Sequence, residues 1–108
     1  MVPEIDVQAF AAAHADGALV IDVREPSEYA TGHVPGAQLV PLSQVPSRSS
    51  DLPKDKRIHV ICASGNRSKT AASWLITAGH DAISVAGGTG SWISQGRPVV
   101  PGLHADAA

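Results

Sequence analysis

Three stretches of the chain are apolar at almost every position: Ala18-Leu19-Val20-Ile21-Asp22-Val23, Ile58-His59-Val60-Ile61-Cys62 and Ala82-Ile83-Ser84-Val85-Ala86. Their shortness suits strands, and the near-absence of in-out alternation predicts parallel strands covered on both faces. Between them the period changes. Ala71, Ala72, Trp74, Leu75 and Ala78 recur at helical spacing. They predict a helix from about Arg67 to Ala78, with Gly79 where a left-handed C-terminal cap falls. Asp6 is placed to cap a first helix running to His14, with Gly17 as its stop. A short helix is predicted from Glu25, with Pro26 at its first position and an end by Gly32. Pro35-Gly36 reads as a turn and Leu39-Val40 as a short strand. The segment from Ser43 to Pro53, rich in serine and proline, reads as an exposed loop with room for one helical turn. Gly87-Gly88-Thr89-Gly90 predicts a sharp turn into a last short helix carrying Trp92 and Ile93. Gly96-Arg97-Pro98 closes that helix, Val99-Val100 is a candidate to reach the sheet, and residues 102–108 read as a frayed tail. Strands alternating with helices predict an α/β domain over residues 1–101.

Composition narrows the picture. At 108 residues the chain fits one domain with one core. Aromatic residues make up only 4% of it, so burial must come from Val, Ile, Leu and Ala. The formal charge of −2 gives no general attraction to nucleic acid or anionic membranes. A single cysteine cannot close an internal disulfide. No apolar run approaches a membrane span, and the N-terminus has no basic or apolar leader pattern, so a cytoplasmic protein is expected. His14, His33, His59, His80 and His104 are scattered, with no helical pair and no cysteine nearby in sequence, so no metal site is expected.

The chemistry concentrates at Cys62-Ala63-Ser64-Gly65-Asn66-Arg67. A cysteine between a strand end and a helix start faces backbone N–H groups and the positive end of the helix dipole. Those groups, together with Arg67, favour a thiolate, the nucleophilic form of sulfur. Gly65 and Asn66 both tolerate positive φ, which would let successive N–H groups turn inward. Ser64, Gly65, Asn66 and Ser68 are expected to act through backbone N–H groups more than through side chains. The Gly87-Gly88-Thr89-Gly90 turn lacks the Gly-Lys-Ser/Thr ending of a phosphate loop. Trp74 and Trp92 sit on amphipathic stretches and are expected in the core. In open α/β sheets, ligands gather outside the C-terminal strand ends. That places Cys62, Arg24 and the Gly87-Gly88 turn around one candidate pocket.

Three motifs in order make the chain resemble the rhodanese-like (sulfurtransferase) domain family. The first is Asp22-Val23-Arg24-Glu25, followed by Glu28-Tyr29 and Gly32-His33-Val34-Pro35-Gly36-Ala37. The second is the Cys62–Arg67 loop followed by Ser68, and the third is Gly87-Gly88, then Trp92, then Gly96 and Pro98. The resemblance implies a three-layer fold, a parallel sheet of about five strands with helices on both faces. It implies that Cys62 is the catalytic nucleophile and carries a persulfide, taking sulfane sulfur from thiosulfate or a similar small donor. The acceptor would be cyanide, a small thiol or a protein thiol. It implies no metal or organic cofactor. With the charge giving no pull toward nucleic acid or membranes, neither is expected as a partner, and nothing in the sequence demands more than a monomer.

Ala63, Ser64, Gly65, Asn66, Arg67 and Ser68 would line the substrate site. Arg24 and Glu28 would form a structural ion pair beneath it, and His33 would pin the following turn. The related dual-specificity phosphatases use a loop one residue longer, matched to a tetrahedral phosphate. Ile61 stands where many cysteine phosphatases have a histidine. Both features favour sulfur over a phosphatase or arsenate reductase. A non-catalytic binding module is a third reading, although such members tend to lack the cysteine. Ala63 occupies a place where many thiosulfate enzymes carry a basic residue, which leaves Arg67 as the main side-chain cation of the loop.

Overall fold

The predicted strands pair side by side in a computed structural model that describes residues 2–105. In chain order the elements are β1 (Glu4–Ile5), α1 (Val7–Ala15), β2 (Leu19–Asp22), α2 (Pro26–Thr31), β3 (Gln38–Leu39), α3 (Val45–Arg48), β4 (Arg57–Ile61), α4 (Asn66–Thr77), β5 (Asp81–Val85) and α5 (Gly88–Ser94). The sheet order is β1-β5-β4-β2-β3 with every neighbouring pair parallel. β4 is central, and its register sets Val60 beside Ile21 on one side and Ser84 on the other.

Successive side chains of a strand leave on opposite faces. Ile58, Val60 and Cys62 therefore join Ile21, Val23 and Ala82 against Val45 of α3 and Ala71, Ala72 and Leu75 of α4. Ile61, Val20 and Val85 face the other way, against Val7 and Phe10 of α1 and Trp92 of α5. The result is helices on both faces of the sheet, the three-layer α/β arrangement the sequence predicts.

The helix ends follow the predicted chemistry. The Asp6 carboxylate accepts from Ala9 N–H at 2.8 Å. Pro26 opens α2, where Glu28 reaches back to accept from Glu25 N–H at 3.0 Å. Gly79, after α4, takes φ +99°.

Several expectations need correction. β1 was not anticipated: two residues between Pro3 and the Asp6 cap are too few to show a period, yet they extend the sheet beside β5. β3 begins one residue earlier than expected, at Gln38. The segment from Ser43 to Pro53 is largely exposed, as expected, but holds more helical structure than one turn. A 3-10 turn at Leu42–Gln44, α3 and a second 3-10 turn at Ser49–Asp51 follow one another, and Val45 is buried. Pro46 is the second residue of α3 and does not interrupt it, since early helical positions need no N–H partner.

Trp74 is 39% exposed, unlike Trp92 at 3%. The buried stripe of α4 runs through Ser68, Ala71, Ala72 and Leu75, and Trp74 lies off its edge. Trp92 also donates its indole N–H to Pro98 O at 2.7 Å. Val100 does not reach the sheet; it forms an antiparallel bridge with His33. Residues 102–105 are docked rather than frayed. Gly102 N–H donates to Ala30 O at 2.9 Å, and Gly36 N–H donates to Ala105 O at 3.0 Å. His33 sits between Tyr29 O and His104 O, at 2.9 and 3.0 Å from its two ring nitrogens, which fits the expected pinning role. Residues 106–108 of the expected tail lie outside the described residues.

Candidate active site

A strand that ends on an apolar residue and is followed by a glycine-containing loop leaves its next side chain at the C-terminal end of the sheet. Cys62 is that side chain, one residue beyond β4, with Gly65 as the N-cap of α4 at φ +109°. A Cβ on Gly65 would stand 3.3 Å from Gly87 N, so glycine also permits the close approach of the second turn. Asn66, expected to share the positive φ, does not: among the described residues only glycines have it. Asn66 is instead the first residue of α4.

Cys62 Sγ lies at the floor of this loop, with the residue only 1% exposed. Gly65 N–H points at the sulfur at 3.1 Å. Ser68 Oγ is 3.4 Å from it and 2.8 Å from Ser84 Oγ. Burial pushes the thiol pKa up, but hydrogen bonds from the Ser68 hydroxyl and from the backbone N–H groups of Ser68, Gly65 and Ser64 outweigh it, and the net direction is down. The anion is thus held by neutral donors and the α4 N-terminus.

The loop is shaped from behind by the first turn of α5. Thr89 N–H donates to Cys62 O at 2.8 Å, and Gly90 N–H donates to Ala63 O at 3.0 Å. In a trans peptide the N–H points opposite its carbonyl. Drawing both carbonyls toward α5 therefore turns the N–H groups of Ala63 and Ser64 away from it, and that of Ser64 serves the sulfur.

The charges pair differently from the expectation. Arg24 does not meet Glu28; it forms a buried bidentate pair with Asp22, at 2.8 Å for the closest contact, and donates to Gly32 O at 2.9 Å. Asp22 lies only two residues away on the same turn, so it reaches the guanidinium first. Glu28 is taken by Arg67, with contacts of 2.7 and 2.9 Å. That bond holds the Glu28 carboxyl down at about 2 and pushes the Arg67 guanidinium up. The Glu28 pair therefore persists above the ordinary carboxylate range and is lost only as pH falls toward about 2.

Ala63 is half-buried, and Ser64 and Asn66 are exposed at the rim. The structure thus gathers the whole predicted loop with Ser68, and adds Glu28 and Ser84. Ser84 was legible only as a lone hydroxyl in an otherwise apolar strand. Among the described residues no group of three or more His, Cys, Asp or Glu is placed to hold a metal ion. A groove of about 810 Å³ lies at the opposite end of the strands, beside Gly17, Leu19, Arg57 and His59, away from Cys62.

Comparison with known proteins agrees with this geometry. Residues 6–95 match the family model of the rhodanese-like domain. A sulfurtransferase of Allochromatium vinosum is 36% identical over 103 residues, covering 93% of this chain and 96% of that one. The crystal structure of a rhodanese-related protein from Thermoplasma volcanium superimposes with a TM-score of 0.86 at 35% identity, covering 94% of this chain and 99% of that one. A thiosulfate sulfurtransferase from Pseudomonas aeruginosa gives 0.84 at 27% identity, over 94% of this chain but 20% of the larger one. With the Cys62 loop, the parallel sheet and the matched region all in agreement, the chain belongs to the rhodanese-like domain family.

Proposed function

We propose that this protein is a sulfurtransferase that carries sulfane sulfur as a persulfide on Cys62. The observation that supports it most is the sulfur itself, under Gly65 N–H and beside Ser68, at the mouth of α4. The Cys62 thiolate attacks the outer sulfur of thiosulfate. The sulfur–sulfur bond of the donor breaks, and its electron pair leaves on sulfite. The Cys62 persulfide anion remains under the same N–H groups, with Ala63, Ser64, Gly65, Asn66, Arg67 and Ser68 as the walls of the subsite.

Cyanide, or the thiolate of a small molecule or protein, then attacks the terminal sulfur and restores the Cys62 thiolate. With cyanide the product is thiocyanate. No cofactor enters either step. The reading is of a monomer acting in the cytoplasm; no helix among the described residues is long and apolar enough to cross a membrane.

Intact mass spectrometry tests both half-reactions. Thiosulfate should add the mass of one sulfur to the chain, and cyanide should remove it with release of thiocyanate. A chain that stays at its original mass after thiosulfate and after a small persulfide donor rules out the persulfide mechanism.

Charge at the rim sets a second expectation. Thiosulfate is a dianion, yet Arg67, the cation nearest the loop, is already neutralised by Glu28. Both side chains are about a third exposed, so the pair is screened and its worth modest. Glu28→Gln should release one positive charge toward the donor and lower the KM for thiosulfate by about two- to fivefold. Arg67→Gln should leave Glu28 unpaired and raise it by roughly tenfold. Steady-state kinetics at two salt concentrations read both. Equal KM values in all three proteins would show that Arg67 and Glu28 do not face the donor.

A further inference from the structure

Behind the loop lies a hydroxyl whose neighbours leave it one direction to point. Ser84 is fully buried on β5, on the face that carries Ala82 into the α4 side of the core. Its Oγ is 2.8 Å from Ser68 Oγ, and Ser68 Oγ in turn is 3.4 Å from Cys62 Sγ. Ser68 is likewise fully buried. Among the described residues, Ser68 is the hydrogen-bond partner of the Ser84 side chain.

Each hydroxyl has one proton to give, so the pair has two arrangements. If Ser68 donates to Ser84, the Ser84 proton is left in the core without an acceptor and Ser68 has nothing to offer the sulfur. If Ser84 donates to Ser68, the Ser68 proton goes to Cys62, and every proton of the chain has an acceptor provided the sulfur is one. Buried polar groups left unpaired are costly, which selects the second arrangement.

We propose that Ser84 is a positioning residue that fixes the direction of the Ser68 hydroxyl, so that Ser68 donates to the Cys62 sulfur as thiolate or as the inner sulfur of the persulfide. The inference rests on the reading of Cys62 as the sulfur-carrying nucleophile. Donation from Ser84 also polarises the Ser68 O–H and strengthens its bond to the anion. The charged groups at this end of the sheet are Arg67 on α4, Glu28 on α2 and the Asp22–Arg24 pair at the end of β2. They are paired among themselves, and a change at Ser84 alters none of them.

The test is the pH dependence of iodoacetamide alkylation of Cys62 in the unaltered protein, in Ser84→Ala and in Ser84→Thr. Ser84→Ala deletes one buried atom. It should move the inflection upward by about half to one pH unit, leaving roughly three- to tenfold less thiolate on the acid side. Ser84→Thr keeps the hydroxyl and should titrate like the unaltered protein. An unmoved inflection in Ser84→Ala overturns the proposal, and so does an equal shift in both variants, which would mark packing as the cause.

A measurement without substitution runs alongside. The carbon-13 resonance of Ser84 Cβ should move with the same midpoint as that of Cys62 Cβ, and a flat Ser84 resonance through the Cys62 titration overturns the proposal. Alkylation needs no sulfur donor, so failure of sulfur transfer would sink the proposed function while leaving this result readable.

Discussion

Cys62→Ser should abolish sulfur uptake while leaving the domain folded. The sulfur is the only thiol in the chain and sits under the donors that would hold a persulfide. Serine offers an oxygen in nearly the same place, which Gly65 N–H and Ser68 can still bond. An alkoxide is far less accessible than a thiolate at neutral pH, and among the described residues the hydrogen-bond partners at position 62, Gly65 N–H and the Ser68 hydroxyl, include no base to generate one. Loss of a nucleophile that forms the covalent intermediate costs on the order of 10³-fold or more. The fold should lose about 1–2 kcal/mol at most, because Cys62 belongs to the α4-side core and serine packs there less well. Intact mass after thiosulfate, with a urea melt on the same sample, reads both. A serine variant that still gains one sulfur would place the carrier elsewhere.

What the sequence made legible, and what it hid, divides along physical lines. Strands β2, β4 and β5 are apolar on both faces, and that composition alone points to a covered parallel sheet. The Cys62 loop was legible for a different reason: a cysteine followed by small residues and a helix pattern can hardly avoid the helix N-terminus. Short-range rules also located the Asp6 cap, Pro26 and Gly79.

Partner choice was not legible. Arg24 and Glu28 are four apart in sequence and look like a pair, but Asp22 shares a tight turn with Arg24 while Arg67 arrives from 39 residues away. Which charge meets which is a property of how α2 and α4 approach each other, and no local pattern encodes it. Trp74 failed for a related reason. A stripe read from spacing has a width, and only the position of α4 on the sheet decides where the stripe stops. Ser84 needed both the strand's parity and its neighbour on α4 to acquire meaning.

Gly88→Ala should damage the protein clearly more than the neighbouring Gly87→Ala. Both glycines have positive φ, at +81° for Gly87 and +56° for Gly88, so each alanine carries a left-handed penalty of roughly 1 kcal/mol. Space separates them. A Cβ on Gly87 would stand 2.2 Å from Ser91 Oγ, which can rotate away, and 2.9 Å from Ser91 Cβ, which needs a small shift of the first turn of α5. A Cβ on Gly88 would stand 2.3 Å from Cys62 O and 2.8 Å from the Ala63 carbonyl, which is backbone and cannot turn aside. Relief requires α5 to withdraw from the loop. That breaks the bonds from Thr89 N–H to Cys62 O and from Gly90 N–H to Ala63 O, each worth about 1 kcal/mol. Gly88→Ala should therefore cost about 2–4 kcal/mol in all. Because the same two carbonyls set the aim of the loop N–H groups, the surviving folded fraction should transfer sulfur on the order of 10²-fold more slowly. Gly87→Ala carries the left-handed penalty and the small shift at Ser91, should lose about 1–2 kcal/mol, and should keep more of its rate than Gly88→Ala because the loop carbonyls are not touched. Urea midpoints and thiosulfate–cyanide turnover on the three proteins decide it. Equal midpoints and equal rates for the two alanine variants would show that contact with α5 does not shape the Cys62 loop.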